Sequence, residues 1–171
     1  MKVGIDLIES AKERGLDVNQ SVLSVCPELF DMIRSEGVVK VQEAAAVISD
    51  STLRFNPEAM DAFAEAYVKS DPQLAFEFVG KLPEETRAPA VEAAARTLAR
   101  TDPASAIDLA FNGLLTVQDR KTVMFQVHFA VAGPNGNYEL FEKTGAWLRS
   151  NDVDVSKLDD RAGRPPVPIN K

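Results

Sequence analysis

The chain of 171 residues holds one histidine, His128, and one cysteine, Cys26. A single histidine can act as the base of a catalytic triad. No nucleophile motif of the G-x-S-x-G kind accompanies it, and H-E-x-x-H and the phosphate-binding loop are also missing. His128 sits in the apolar stretch "KTVMFQVHFAVAG", 121–133. That setting points to a structural or partner-facing imidazole. Cys26 has no second thiol with which to form a disulfide or a multi-thiolate metal site, so it reads as a small buried apolar side chain. The carboxylates Glu84 and Glu85, and Asp159 and Asp160, are adjacent pairs. Neighbours on a helix diverge, so these read as a solvated charged surface. A glycosidase-like pair brought together in space stays open at this stage. "GPNG", 133–136, lacks the Lys-Ser/Thr of a phosphate cradle and reads as a turn. No catalytic, cofactor-binding or metal-binding residue is assigned, and no cofactor is expected.

The aromatic residues concentrate in the second half: Phe76, Phe78, Phe111, Phe125, Phe129, Tyr138, Phe141 and Trp147. Most are expected in the core. Phe76 and Phe78 lie two positions apart, so they point in different directions on a helix and one of them is expected to be exposed. Exposed aromatics beside arginine have the composition of binding hot spots. The candidate partner surface is therefore Phe76, Phe125 and His128, together with a C-terminal segment carrying Arg161, Arg164, Pro165, Pro166 and Pro168.

Hydrophobic residues make up 45% of the chain, which is enough for a sizeable core. The net charge is −7, so general binding to nucleic acid is disfavoured. No apolar stretch approaches the roughly 18 residues of a membrane span. Asp6, Glu9 and Lys12 interrupt any apolar region of a signal peptide. A cytoplasmic protein with protein partners is the expectation.

The elements that position these residues read as helices. Residues 2–14, 27–37 and 41–49 carry helical spacing or composition. Asn56 and Pro57 suit the cap and first residue of a further helix, with Ala59, Met60, Phe63, Ala66 and Tyr67 on one face. No convincing strand pair occurs; the stretch 121–133 fits a strand by its alternation and a helix through Val123, Val127 and Ala130, and the repeat described next decides for helix.

Pro72, Pro103 and Pro134 are spaced at equal intervals of 31 residues. Shifting 58–72 by that interval lays it on 89–103. Ala59 then meets Ala90, Ala62 meets Ala93, Tyr67 meets Leu98, Lys69 meets Arg100 and Asp71 meets Asp102. A second shift puts Leu98 on Phe129 and Asp102 on Gly133, a weaker copy. In each unit the aspartate caps a helix and the proline is its first residue. A turn, "KLPEET", 81–86, and an alanine-rich second helix follow.

The pattern R-x-x-A-V-x-x-A-A-x-x-L-A-x-x-D-P-x-x-A, Arg87 to Ala106, resembles the tandem helical hairpins of HEAT-like and tetratricopeptide-like α-solenoids, and above all bacterial repeats built on Asp-Pro-x-x-Ala. The resemblance spans roughly 56–149. It departs from the tetratricopeptide pattern in repeat length and lacks that family's Trp, Leu-Gly and Tyr marks. It implies an all-α fold, a short right-handed α-solenoid of stacked helical hairpins. An N-terminal helical cap would span 1–40, the repeats 41–150 and an extended or disordered tail 151–171. It also implies a non-enzymatic protein–protein interaction module, a structural or accessory subunit of a larger assembly. Two other readings stand beside it: a small helical enzyme or ligand-binding domain using His128 and carboxylates, and an acidic inhibitor that mimics nucleic acid.

Overall fold

Two aspartates each end one helix and begin the next. The Asp71 N–H donates to the Tyr67 carbonyl at 2.8 Å, closing the helix behind it. Its carboxylate accepts the Leu74 N–H at 3.0 Å, opening the helix ahead. Asp102 repeats both bonds, accepting from the Ser105 N–H at 3.0 Å and donating to the Leu98 carbonyl at 2.7 Å. Both have extended φ near −150°, and in each case a proline fills the next position, where a helix has no use for a backbone donor.

The computed structural model describes residues 57–132 and 136–156, with Leu158 and the isolated positions 10, 13, 14, 45 and 46. The expected helices at 2–14, 27–37 and 41–49, the Asn56 cap, Cys26, Pro134 and the segment with Arg161, Arg164, Pro165, Pro166 and Pro168 lie outside them, apart from those isolated positions. The described residues are all-helical, with no strand. Their helices are α1 (Pro57–Ser70), α2 (Pro72–Lys81), α3 (Glu84–Thr101), α4 (Pro103–Asn112), α5 (Val117–Val131) and α6 (Tyr138–Ser150). The chain divides into two compact units, Met1–Ala94 and Ala95–Lys171, with the boundary inside α3.

In the first unit, α1 packs on α2 through an aromatic cluster. Phe63 meets Tyr67 and Phe78 edge-on, with ring centroids 5.7 and 5.2 Å apart. Burial, with the carboxylates of Asp71 and Glu77 nearby, holds the Tyr67 phenol above its ordinary value. Phe76 and Phe78 are both buried, which corrects the expectation that one of them faces solvent. Two residues on opposite sides of a helix are both covered only when the helix is packed on more than one side. The turn after α2 is also shorter than 81–86, since only Leu82 and Pro83 lie between α2 and α3. The Arg87 guanidinium donates to the Leu82 carbonyl and ties this turn to α3.

In the second unit, α5 packs against both α4 and α6. Met124, Leu148 and Val155 form a buried cluster, with Ile107, Phe125, Trp147 and Val153 packed against it. The stretch 121–131 is helical, and the alternation within it does not make a strand. Val153 and Val155 place the first part of the expected tail inside this core. The reason is the end of α6. Asp152 adopts a left-handed backbone with φ 60°. The Val153 N–H donates to the Leu148 carbonyl and the Asp152 N–H to the Arg149 carbonyl. This is a Schellman turn, and its usual apolar contact is present as Val153 packs beside Leu148. The turn sends the chain back over the core.

The correspondence at 31 residues extends to burial at two of its three copies. Tyr67 and Leu98 are both buried, as are Val68 and Ala99, Ala75 and Ala106, and Val79 and Ala110. The third copy departs. Phe129, in register with Tyr67 and Leu98, is exposed. The next helix is capped by Asn137, four residues beyond the position that the interval assigns to Gly133.

Candidate functional site: an exposed aromatic and arginine cluster

His128 is the obvious place to look for chemistry, and it is fully buried. Its Nδ1 lies 3.0 Å from the Thr144 Oγ1. The threonine hydroxyl has one proton and places it toward the Leu140 carbonyl at 2.7 Å. The hydroxyl oxygen therefore accepts, and Nδ1 carries the donated proton. One face of the imidazole stacks on Phe141, with centroids 4.2 Å apart and planes 17° apart. Gly145 makes room for this arrangement. A Cβ there would meet His128 Cε1 at 3.0 Å and the Arg149 guanidinium at 3.3 Å. The histidine is a packing element of the α5–α6 hairpin. It presents nothing to a partner, which corrects its place in the candidate surface.

Phe76 leaves that surface for the same reason, being 1% exposed. Phe125 is half-buried and packs against the core of the second unit. Glu84 is exposed at the start of α3, as the solvated-surface reading expects. Among the described residues, no group of three or more His, Cys, Asp or Glu side chains is arranged to hold a metal ion. No described helix is long and apolar enough to cross a membrane.

Exposed apolar area gathers instead where α4 turns into α5. Phe111 is 40% exposed, Leu114 59% and Val117 60%, while Leu115 between them is buried. Local chemistry forces this arrangement. Gly113 ends α4 with its backbone so close to Leu109 that a Cβ would meet the Leu109 carbonyl oxygen at 2.8 Å. The tight exit leaves two successive leucines in a four-residue connection, and only one of them can turn inward. Thr116 then starts α5 with a capping box. Its hydroxyl accepts the Asp119 N–H, and the Asp119 carboxylate accepts the Thr116 N–H at 3.0 Å. That reciprocal pair fixes the first turn of α5 and so the direction of Val117 and Arg120, which are three apart and share a face.

The Arg120 guanidinium carbon sits 5.6 Å from the centroid of the Phe111 ring. Phe111 in turn meets Trp147 of α6 edge-on at 5.6 Å, with planes 89° apart. The ring is thus held between a cation and a second ring. Arg120 Nε is buried without a hydrogen-bond acceptor, and no carboxylate among the described residues pairs with this arginine. Phe111 belongs to the aromatic set legible in the sequence. Leu114, Val117 and Arg120 were not anticipated, and the signal that could have found them is the pair of leucines after Asn-Gly. Phe129 and Tyr138 are also exposed, toward the other end of α5. Comparison with protein-family models, curated proteins and solved structures returns no match.

Proposed function

We propose that this chain is a non-enzymatic protein–protein interaction module, an accessory subunit of a larger assembly in the cytoplasm. Its helices would form a short right-handed α-solenoid of stacked hairpins. The observation that carries the reading is the exposed cluster of Phe111, Leu114 and Val117 beside Arg120. An aromatic and an arginine held rigid before any partner arrives are the usual anchors of an interface, because little side-chain freedom is lost on binding. The pair of aspartate junctions supports the repeat architecture, since two positions 31 residues apart make the same bonds.

The test is purification of the tagged chain from its native source, in parallel with a Leu114→Ser/Val117→Ser variant. A stoichiometric protein partner that the wild type retains and the variant loses is the expected result. Recovery of a lone monomer carrying a bound metabolite overturns the reading.

A further inference from the structure

We infer that the α4–α5 surface takes a partner segment in which a carboxylate stands beside apolar side chains, the carboxylate meeting Arg120. The inference rests on the interaction-module reading and specifies its partner.

The argument is one of charge. The chain carries a net charge of −7, so an approaching carboxylate is repelled by most of its surface. Arg120 is an exception. Its guanidinium is positioned by the Phe111 ring, and no carboxylate among the described residues neutralises it. Asp119, next to it in sequence, spends its carboxylate on the Thr116 cap. The Arg120 Nε–H is buried and lacks an acceptor. That atom is closed to a partner, so the terminal nitrogens of the guanidinium make the contact. A partner carboxylate supplies a countercharge, and the planar guanidinium can bind it through two hydrogen bonds from its terminal nitrogens. Val117, one turn before Arg120 on α5, and Leu114, in the turn that leads into α5, stand exposed and offer apolar contact to the residues flanking the acid. A purely apolar partner would cover Arg120 and bury its charge unpaired, which is costly. A strongly acidic partner without apolar residues would leave Leu114 and Val117 uncovered. The two features together select the mixed segment.

The full chain is used to select binders from a phage-displayed library of random peptides, and the strongest is synthesised with a sibling in which each Asp and Glu becomes Asn and Gln. The selected peptides are expected to place Asp or Glu within a turn of Leu, Ile, Phe or Met. Binding should weaken about tenfold or more for Arg120→Gln, for Leu114→Ser and for the amide sibling, and it should weaken as salt is raised. Arg120→Lys, which keeps the charge but not the fork, should retain part of the affinity. Circular dichroism and the urea midpoint confirm that each variant is folded. Peptides that depend on Leu114 but bind Arg120→Gln as well as wild type overturn the acidic partner and leave the module reading standing. Peptides indifferent to both residues, or no selected peptide at all, overturn the docking site, while partner purification decides the module reading separately. Concentration-dependent dimerisation abolished by Leu114→Ser makes a second copy the occupant and likewise overturns the inference.

Discussion

His128 Nδ1 and Thr144 Oγ1 meet at 3.0 Å across the α5–α6 hairpin, joining residues sixteen apart in the chain at a site from which water is excluded. The threonine hydroxyl accepts from the imidazole while donating to its own helix at the Leu140 carbonyl. Thr144→Val keeps the shape and removes the hydroxyl with its bonds to His128 and to the Leu140 and Phe141 carbonyls. The imidazole N–H is then left buried without its acceptor, and stability should fall by about 1–3 kcal/mol. Urea unfolding of wild type and variant measures it; equal midpoints would show that the bond contributes nothing.

Gly145 gives a test with an inverted sign. Within a helix, glycine to alanine ordinarily stabilises by about 0.5–1 kcal/mol. Here the new methyl would press on His128 Cε1, which the Phe141 stack holds in place. Gly145→Ala should therefore destabilise. In a His128→Ser background the obstruction is gone and the same substitution should stabilise. A double-mutant cycle reads the coupling directly.

The Asp102 junction predicts a pH dependence. Hydrogen bonds from the Ser105 hydroxyl, and next from its backbone N–H, hold the Asp102 carboxyl below its ordinary 3.8. A carboxyl lowered in the folded state binds its proton less readily there than in the unfolded chain. Its contribution is therefore complete above the unfolded value and disappears as pH falls through the folded one. The stability difference between wild type and Asp102→Ala should be constant from neutral pH down to about 5 and shrink below about 4. For Asp71→Ala, the loss of the cap to the Leu74 N–H should cost about 1 kcal/mol at neutral pH.

Leu114 and Leu115 are neighbours with opposite fates. Leu115→Ala removes a buried side chain and should cost about 2–4 kcal/mol. Leu114→Ala touches an exposed one and should change stability by no more than about 0.5 kcal/mol. Thermal melts of the two variants compare them. A large loss for Leu114→Ala would mean that the exposed cluster is part of the core.

Asp152 closes the Schellman turn with φ 60°, a conformation that costs glycine nothing and a residue with a Cβ something. Asp152→Gly should raise stability by about 0.5–1 kcal/mol, measured by urea midpoint.

What was legible in the sequence follows from how local the physics is. The starts of α2 and α4 could be read because a cap and a proline act within one turn, and that of α1 because Pro57 suits a first helical position; α5 could be read as helix from the 31-residue interval, since its apolar positions fit a strand as well. Phe76 could not be placed, because its burial depends on what covers the far side of α2, and the spacing of residues along α2 does not report that. His128 was given to the partner surface and lies buried, since an apolar stretch fits both an interior and an interface. The Phe111 and Arg120 pair spans nine positions and exists only because Gly113 and the Thr116 cap set the angle between two helices. The tail divides at a single φ angle: Asp152 turns the chain back, so Val153 and Val155 join the core.

Among the described helices, α1 packs with α2, α4 with α5 and α5 with α6, each pair consecutive in the chain. Their connections run from the single residue Asp71 to the six residues between α5 and α6. Closing such short loops costs little chain entropy, and the penalty grows only with the logarithm of loop length. Assembly of these hairpins needs no search for distant partners, which puts their folding in the microsecond-to-millisecond range of helical bundles. The polypeptide can thus complete each hairpin soon after its second helix leaves the ribosome.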